Sequence, residues 1–352
     1  MIKRRQTKTV RVGALQIGGR APIPIQSMTK VPTTSVTRCV RQIEKLVEAG
    51  CDLVRIAVPR AVDTAAFARI VQKVSVPLIA DIHFSPARAV EAIEAGAAKI
   101  RLNPGNIKER QDILRIIAAA KTHGTAIRIG VNEASIRDLK ADVSLQKRVG
   151  LMVQEMRRYV RLFEKQGFDQ LVLSAKSSDT LRTIAVNRRL SEAFDYPLHL
   201  GLTHAGLPED AQLPSAIALG TLLAEGVGDT VRVSVAGDPV VEVRIAQQIL
   251  TALGLRPRSG PELIVCPTCG RCEINVVRLA KRLRRVLQDI DKPLRIAAMG
   301  CVVNGPGEAA DADLAICAGK GKAFLYRQGK RIAVVPEDQI ESKLREYIAQ
   351  LS

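Results

Sequence analysis

Four cysteines near the C-terminus have the spacing of a metal centre. Cys266, Cys269 and Cys272 form a C-x₂-C-x₂-C segment, and Cys301 follows in the small-residue stretch 300–308. A tight turn with this spacing can present several thiolates to one centre, and small residues let backbone N–H groups approach sulfur. A bare C-x₂-C would indicate zinc. The third cysteine and Cys301 favour an iron–sulfur cluster, and zinc stays as the alternative.

The other cysteines are expected to be ordinary buried residues. Cys39 and Cys51 lie in or beside a predicted helix, and Cys317 follows an apolar strand. The total of seven is odd, and the N-terminus carries no export signal. Metal or redox chemistry in a reducing compartment is therefore expected, and a disulfide framework is not.

Polar side chains stand at the ends of successive predicted strands, and at least five of these ends carry Arg or Lys. Like charges that converge on one rim repel each other unless an anion binds among them. Arginine forks match phosphate oxygens in bidentate geometry. The sequence therefore predicts a compact substrate with more than one phosphate. The strand-end residues include Arg55, Arg101, Arg128, Asn132, Lys176, Arg232 and Ser234.

Asp81 and His83 form a second candidate group. They are two residues apart, so on one strand both would point to the same side. The pair could orient a substrate hydroxyl or move a proton. The alternative is a hydrogen-bonded pair that only braces the rim.

The elements that position these residues alternate regularly. Short apolar, β-branched runs are followed by stretches of helical period, such as 36–49, 86–95, 145–165 and 239–253. Eight β→α units in about 250 residues are typical of a (β/α)₈ TIM-like barrel, whose active sites lie at the C-terminal ends of the strands. A doubly wound open sheet is the alternative and usually needs fewer units. The predicted strands are 24–26, 53–58, 77–81, 99–102, 126–131, 170–174, 197–202 and 230–235.

The alternation stops at residues 254–261, where two Gly, two Pro and charged residues predict a linker. Beyond it we expect a small α+β domain with a basic helix at Val276–Leu287 and short strands at 295–298, 314–316, 323–326 and 331–335. The predicted organisation is a substrate-binding barrel at 1–254 and a cluster domain at 262–352.

The chain is strongly basic, with 53 Lys and Arg against 35 Asp and Glu and a formal charge of +18. This indicates either an anionic partner or a solvated basic surface. The densest patches are 3–5 and 278–285, and for both we expect a solvated surface. Aromatic residues make up only 3%, which argues against a nucleic-acid surface built on stacking.

No signal peptide or membrane span is visible, so a cytoplasmic protein is expected.

The sequence resembles the GcpE (IspG) family of 4-hydroxy-3-methylbut-2-enyl diphosphate synthases. The most specific match is Gly-Cys-Val-Val-Asn-Gly-Pro-Gly-Glu at 300–308. Further matches, in the same order along the chain, are 24–29, 80–84, 101–106, 129–132, 198–201, 225–234 and 266–269. The resemblance implies a barrel followed by a small [4Fe-4S] domain.

The implied reaction is the reductive opening and dehydration of 2-C-methyl-D-erythritol 2,4-cyclodiphosphate to a linear allylic diphosphate. Two electrons come from an acidic flavodoxin or ferredoxin. The family's cluster domain closes over the barrel mouth of a second subunit, which implies a homodimer with an inter-subunit active site. Neither a nucleic acid nor a membrane is implied as a partner.

The resemblance also assigns roles to residues. The seven strand-end residues from Arg55 to Ser234 would hold the cyclic diphosphate, with Asp81 and His83 nearby as catalytic candidates. The cluster ligands would be Cys266, Cys269, Cys301 and Glu308. A carboxylate is a labile ligand to iron, so Glu308 could leave and let a substrate oxygen bind.

The chain departs from the family pattern at several positions, and two of these, His204 and Cys272, concern the proposed chemistry. His204 stands where the family usually has a glutamate thought to act as an acid or base, and we hypothesise that His204 keeps the proton-transfer role at a different operating pH. The alternative is that it only lines the pocket. Cys272 stands where the family usually has another residue type, and we predict that it does not bind the cluster.

Two rival functions remain open. One is a barrel that binds a phosphorylated ligand and uses its cluster as a redox sensor or structural clip. Glu308, in place of a fourth cysteine, favours catalysis over this reading. The other is a basic nucleic-acid-binding protein with a zinc clip, which metal analysis would detect.

Overall fold

The structure is a computed structural model, and it describes residues 2–107, 109–132, 136, 143–203, 206–303, 307 and 310–351. The chain divides into two compact units, Met1–Arg256 and Pro257–Ser352. No helix among these residues has the length and apolar character that crossing a membrane requires.

The first unit begins with an antiparallel hairpin that the sequence patterns did not predict, formed by β1 (Val10–Val12) and β2 (Leu15–Ile17). Its apolar side chains pack on inward-facing residues at the N-terminal ends of the barrel strands, among them Leu53 and Ile79. The hairpin therefore closes one end of the barrel and leaves the other end for a site.

Eight parallel strands follow in chain order. They are β3 (Gln26–Met28), β4 (Leu53–Ala57), β5 (Leu78–Asp81), β6 (Lys99–Leu102), β7 (Ala126–Asn132), β8 (Leu171–Lys176), β9 (His199–Leu200) and β10 (Thr230–Val231). Strands β3 to β8 form one sheet and β9 pairs with β10. Parallel bridges between Leu173 and Leu198 and between Ile25 and Val231 close the ring. The (β/α)₈ barrel is confirmed, and the doubly wound alternative is wrong.

Eight helices surround the strands: α1 (Val36–Glu48), α2 (Ala61–Val71), α3 (Pro86–Glu94), α4 (Arg110–His123), α5 (Leu145–Glu164), α6 (Thr180–Ala193), α7 (Pro208–Ala224) and α8 (Pro239–Ala252). Several begin at side-chain caps. Ser85, Ser144, Asp179 and Asp238 each accept a hydrogen bond from a backbone N–H of the first turn, which satisfies a donor that the helix itself leaves free. The apolar faces of the helices pack on the outside of the strands to form the main core.

The second unit holds a five-stranded mixed sheet and, among its described residues, the helices α9 and α10. Its elements are β11 (Glu262–Val265), α9 (Val276–Leu287), β12 (Arg295–Met299), β13 (Leu314–Gly319), β14 (Lys322–Arg327), β15 (Lys330–Pro336) and α10 (Ile340–Ala349). The strand order is β11-β12-β13-β14-β15, with the first three parallel. Leu279 and Leu283 of α9 pack with Leu344 of α10 in its main core. Helix α9 has the predicted bounds, whereas β11 and α10 were not predicted.

Candidate active site

A cavity of about 520 Å³ opens among the C-terminal ends of the barrel strands. Alternation places every second side chain of a strand inside the barrel, so residues near the strand ends point into this space. Six of the seven predicted substrate-binding residues line it: Arg55, Arg101, Asn132, Lys176, Arg232 and Ser234. The cavity therefore gathers four cations and two neutral hydrogen-bonding groups within one small volume.

Asp81, at the end of β5, lies between Arg55 of β4 and Arg101 of β6. Its oxygens lie 3.7 Å from Arg55 Nε, 3.5 Å from Arg101 Nη1 and 3.4 Å from His83 Nε2. Burial disfavours the charged carboxylate, but Arg55, His83 and Arg101 outweigh it and hold the pKa of Asp81 well below its usual range. Strand β5 ends at Asp81, so His83 lies in the following loop, and its half-exposed ring nevertheless reaches back to Asp81.

Arg55 is held between Asp81 and a thioether. Its Nε and Nη2 atoms lie 3.2 Å and 3.1 Å from the sulfur of Met28, its register partner on β3. Burial lowers the pKa of Arg55 to about 10; Asp81 opposes this shift, and the neighbouring Arg232 and Arg101 add to it. Even so, Arg55 stays cationic at neutral pH and is available to an anion.

Arg128, the seventh predicted residue, is not among the residues that line the cavity. It is 4% exposed and lies next to the cavity-lining Gly130, a position that we call the floor of the cavity. A methyl group on the cavity-lining Gly130 would lie 3.7 Å from Arg128 Nη2. Its Nε and Nη1 atoms have no hydrogen-bond acceptor in the described part of the chain. Burial, followed by the cations Arg55 and Arg101, lowers the pKa of Arg128 well below its usual value. A buried cation without an acceptor is costly, and an anion in the cavity would relieve that cost.

Two further basic groups lie deeper in the barrel. Lys99 and His199 are fully buried, and neither Lys99 Nζ nor the ring nitrogens of His199 have a hydrogen-bond partner among the residues described. Burial and nearby cations, Arg128 among them, lower the pKa of both groups well below their usual values. The sequence reasoning missed Lys99, although its place two residues before Arg101 on β6 puts both on the same face.

Gly201 provides the space that Lys176 occupies. A methyl group there would lie 2.6 Å from Lys176 Nζ and 2.5 Å from the carbonyl oxygen of Arg232. Burial, followed by Arg128 and Arg232, lowers the pKa of Lys176 well below its usual value. The absence of a side chain at Gly201 thus lets the lysine fold against the strand end of β10 and line the cavity.

Glu242, in the first turn of α8, orders the other side of the rim. Its carboxylate lies 3.3 Å from Arg232 Nε and 3.0 Å from Lys30 Nζ. It also accepts hydrogen bonds from Ser27 Oγ at 2.8 Å and from the backbone N–H of Val235 at 3.2 Å. Burial opposes the charge, but Arg232 and Lys30 hold the pKa of Glu242 below its usual value.

The sequence reasoning missed both Glu242 and Lys30. Glu242 falls on the buried stripe of α8, three residues after Pro239 and four before Ala246. A charged residue on this otherwise apolar stripe could have identified Glu242 as a functional candidate, because carboxylates are almost never fully buried without a partner. The sequence holds no comparable signal for Lys30.

Two predicted catalytic residues, His204 and Glu308, lie outside the described residues. The remaining two, Asp81 and His83, lie together as described above.

Residues 266–272 and Cys301, which we call the cysteine segment, follow the C-terminal ends of two neighbouring parallel strands of the second unit. Cys266 follows β11 and Cys301 comes two residues after β12. The backbone N–H of Gly300 donates to Cys266 Sγ at 3.2 Å. A methyl group on Gly300 would lie 2.6 Å from Cys272 Sγ. The predicted approach of small residues and backbone N–H groups to sulfur is therefore confirmed for Gly300.

The thiols in this segment differ in their chemistry. The backbone N–H and the side chain of Arg271 stabilise the thiolate of Cys269 and lower its pKa. For Cys272 the N–H of Cys269 has the same effect, but partial burial and the neighbouring Cys266 outweigh it and raise the pKa. Cys266, Cys272 and Cys301 are partly exposed and Cys269 is exposed.

The donor set of this segment is chemically suited to an iron–sulfur cluster. Among the described residues, no three His, Cys, Asp or Glu side chains are gathered into a metal site. A cluster distributes its ligands over several iron atoms and accepts N–H hydrogen bonds at its sulfurs. Accessible thiols at two strand ends, with backbone N–H groups directed at sulfur, match that requirement.

The other three cysteines are buried, as expected. Cys39, Cys51 and Cys317 form no disulfide. Burial raises the pKa of the Cys51 and Cys317 thiols to about 12, so both stay protonated and unreactive at neutral pH.

The chain matches the models of two domains of one protein family. Residues 7–247 match the GcpE TIM-barrel domain, and residues 262–350 match the GcpE protein C-terminal domain. A relative from Symbiobacterium thermophilum is 46% identical over 99% of this chain and 94% of its own length. One from Caldanaerobacter subterraneus is 45% identical over 100% of this chain and 99% of its own length. Both are named 4-hydroxy-3-methylbut-2-en-1-yl diphosphate synthase (flavodoxin).

Solved structures support the fold of the barrel. A dihydropteroate synthase from Coxiella burnetii is 10% identical, with a TM-score of 0.51 over 70% of this chain and 99% of its own. The enzyme from Xanthomonas albilineans is 16% identical, with a TM-score of 0.50 over 72% of this chain and 100% of its own. At these identities the likeness concerns the fold alone.

Proposed function

The chain belongs to the GcpE family, and we propose that the residues described above carry out the 4-hydroxy-3-methylbut-2-en-1-yl diphosphate synthase reaction in isoprenoid biosynthesis. The enzyme is an oxidoreductase. It opens the ring of 2-C-methyl-D-erythritol 2,4-cyclodiphosphate, releases water and yields (E)-4-hydroxy-3-methylbut-2-enyl diphosphate, with two electrons taken from reduced flavodoxin. The observation that carries the proposal is the cavity of about 520 Å³ with Arg55, Arg101, Lys176 and Arg232 in its wall.

These four cations bind the cyclic diphosphate, and Arg128 supports them from the floor. A charged arginine fork donates two parallel hydrogen bonds to phosphate oxygens. In a cavity with little water such contacts are stronger than at an exposed surface. Asn132 and Ser234 add neutral donors at the rim. Glu242 and Asp81 keep Arg232 and Arg55 in place, so the site is organised before the substrate arrives.

Proton movement is assigned to three residues of the barrel. Asp81 stays ionised and holds the His83 ring from Nε2, while Arg101 Nη1 lies 3.2 Å from Nδ1; the half-exposed ring is proposed to face a substrate hydroxyl. His204 is proposed as the acid or base in place of the family's glutamate. A histidine suits this role because its usual pKa lies near neutrality.

The second unit is proposed to hold a [4Fe-4S] cluster through Cys266, Cys269, Cys301 and Glu308. When bound, the cluster supplies electrons and a Lewis-acidic iron to the departing hydroxyl. The chain's own contribution is to keep one ligand a carboxylate, which leaves iron more readily than a thiolate does. The N–H of Gly300 stabilises the charge on Cys266. A homodimer with an inter-subunit site and ferredoxin as an alternative donor belong to the same proposal.

Anaerobic turnover tests this function. Protein reconstituted with iron and sulfide is supplied with dithionite and a viologen, and consumption of the cyclodiphosphate is followed together with the cluster's spectrum. We expect turnover in the wild type and at least a tenfold loss of substrate affinity in Arg232→Ala. Lys73→Ala, an exposed control, should match the wild type.

A brown protein that binds the substrate without converting it would support a sensor or structural cluster instead. Zinc without labile sulfide would point to the nucleic-acid-binding alternative.

A further inference from the structure

Helix α9 has one apolar face and one strongly basic face. Leu279, Leu283, Val286 and Leu287 are buried against the sheet and α10, and Val276 is also buried. The opposite face exposes four cations, Arg278, Lys281, Arg284 and Arg285. Val277, at the first turn of the same face, is 54% exposed. We refer to these five exposed residues as the basic face of α9.

The basic face is not neutralised by the protein. Arg282, beside it, pairs with Glu341 of α10. None of the four exposed cations has a carboxylate within ion-pair distance in the described part of the chain. Cations three and four residues apart on a helix repel each other. Arg284 and Arg285 gain from the helix dipole at the C-terminal turn, but Arg278, in the first turn, is disfavoured by it. Helix stability therefore does not account for this charge pattern.

The basic face begins at the cysteine segment. Asn275, three residues after Cys272, caps α9 by accepting a hydrogen bond from the N–H of Arg278 at 2.9 Å. The next residue, Val276, lies against Gly300: a methyl group on Gly300 would be 2.3 Å from Val276 Cγ2. Gly300 directly precedes Cys301. The first turn of α9 thus touches the backbone beside two of the proposed cluster ligands, and the four cations, Arg278 to Arg285, span roughly 10 Å along the helix from there.

We propose that the basic face of α9 is the docking surface for the acidic flavodoxin that donates electrons. The inference rests on the proposed function, because it needs a redox centre at the cysteine segment. Exposed, unpaired charges accelerate the association of oppositely charged proteins, and they suit a partner that must leave after each transfer. Val277 gives the interface an apolar contact at the end nearest the cysteines. Each encounter transfers one electron, so two reduced flavodoxins are each oxidised by one electron for every substrate reduced by two.

The test compares two charge-reversed enzymes of equal net charge. Lys281→Glu with Arg285→Glu reverses two charges on the basic face. Lys45→Glu with Lys73→Glu reverses two exposed lysines of the first unit that have no ion pair among the described residues. Both reconstituted enzymes are assayed with a purified, photoreduced bacterial flavodoxin and, separately, with dithionite and a viologen. Binding of the flavodoxin to each immobilised holoenzyme is measured at low and high salt.

We expect the α9 variant to raise the KM for flavodoxin and the dissociation constant by about tenfold or more, with a weaker salt dependence than the wild type. Viologen-driven turnover should stay unchanged, and the Lys45/Lys73 variant should behave as the wild type in every assay. If the glutamates reduce the iron content, Lys281→Gln with Arg285→Gln replaces them and should give a smaller loss in the same direction.

Three outcomes would overturn the docking assignment. The first is an unchanged flavodoxin KM in the α9 variants. The second is an equal loss in the control. The third is binding of duplex DNA to the basic face more tightly than flavodoxin at physiological salt. Failure of the proposed function looks different, since the wild type would then consume no cyclodiphosphate even with the viologen.

Discussion

Glu242 and Arg232 form a buried ion pair, 3.3 Å between Oε2 and Nε, that joins the first turn of α8 to the strand end of β10. The carboxylate side chain has no exposed surface, and that of Arg232 is 11% exposed. Because Lys30 binds the same carboxylate from the other side, one anion sets the positions of two cations at the cavity. A carboxylate that touches no substrate thus shapes the substrate site.

Replacing Glu242 by Gln should destabilise the ligand-free protein by about 3–5 kcal/mol, because it leaves two partly buried cations without their anion. Denaturant unfolding of the wild type and the variant measures this. The pKa of Glu242 is lowered in the folded state. Its stabilising effect is therefore complete well above the unfolded value of about 4.3 and is lost as the pH falls through the folded pKa. The difference between the proteins should accordingly shrink below about pH 4.

Glu192→Gln is the matched control, since Glu192 pairs with Arg189 at the surface and is 60% exposed. An exposed pair of this kind contributes about 0–1 kcal/mol. If Glu242→Gln is as mild as Glu192→Gln, the buried carboxylate does not organise the rim.

Arg128→Met tests whether the floor of the cavity is built for an anion. The variant removes a buried cation whose Nε and Nη1 atoms have no acceptor among the described residues, so the ligand-free protein should become more stable. Its affinity for the cyclodiphosphate should fall ~10–100-fold, since a hydrogen bond to a charged group is lost. Thermal shifts with and without substrate report both effects. Arg189→Met, at the exposed position, should change neither, and a fully retained substrate shift in Arg128→Met would contradict the assignment.

Lys99→Met should stabilise the barrel by about 1–4 kcal/mol, because an apolar side chain of similar volume replaces a buried amine that has no hydrogen-bond partner in the described part of the chain. The pKa of Lys99 is lowered well below its usual value. The unfolded chain therefore binds a proton that the folded chain releases, and wild-type stability rises with pH up to about 10. The advantage of the variant should then decrease by about 1.4 kcal/mol for each pH unit above the folded pKa. A constant advantage from pH 6 to 9 would show that Lys99 titrates normally.

The sequence predicted strands and helices correctly where a local pattern of apolar residues determines the element. Short apolar, β-branched runs identified all eight strands of the barrel, and the rule that its sites lie at the strand ends placed Arg55, Arg101 and Arg232 in one cavity. The helical period defined α9 to the residue. Strands β9 and β10 are shorter than predicted. The N–H of Arg232 still donates to the carbonyl of Leu200 at 3.0 Å, but the residues that follow line the cavity.

Local sequence patterns could not predict contacts between residues that lie far apart in the chain. Lys30 and Glu242 are more than 200 residues apart, and nothing near either one indicates the other. The hairpin β1–β2 was missed because its strands have three residues each, too few for a period to appear. The charge of α9 was recognised but taken as solvated surface, since only the fold shows that its first turn touches Gly300.

His204→Ala tests the assigned proton transfer. If His204 is the acid or base, viologen-driven turnover should fall by about 10²–10⁴-fold. The plot of turnover against pH should also lose its inflection near neutrality. His204→Glu restores the residue type usual in the family and should recover turnover with its pH optimum displaced. Unchanged turnover of His204→Ala at every pH would mean that protons move elsewhere and that His204 only lines the pocket.

Cys272→Ser and Glu308→Gln separate the proposed ligand set from a four-cysteine site. The pKa of Cys272 is raised whereas that of Cys269 is lowered, so Cys272 is the poorer thiolate donor of the two. Cys272→Ser should therefore keep the iron content, the cluster spectrum and turnover. Glu308→Gln should lose turnover while most of the iron remains, because three thiolates still hold it. If the serine variant instead loses iron and Glu308→Gln stays active, Cys272 is the fourth ligand and the site is closed to substrate.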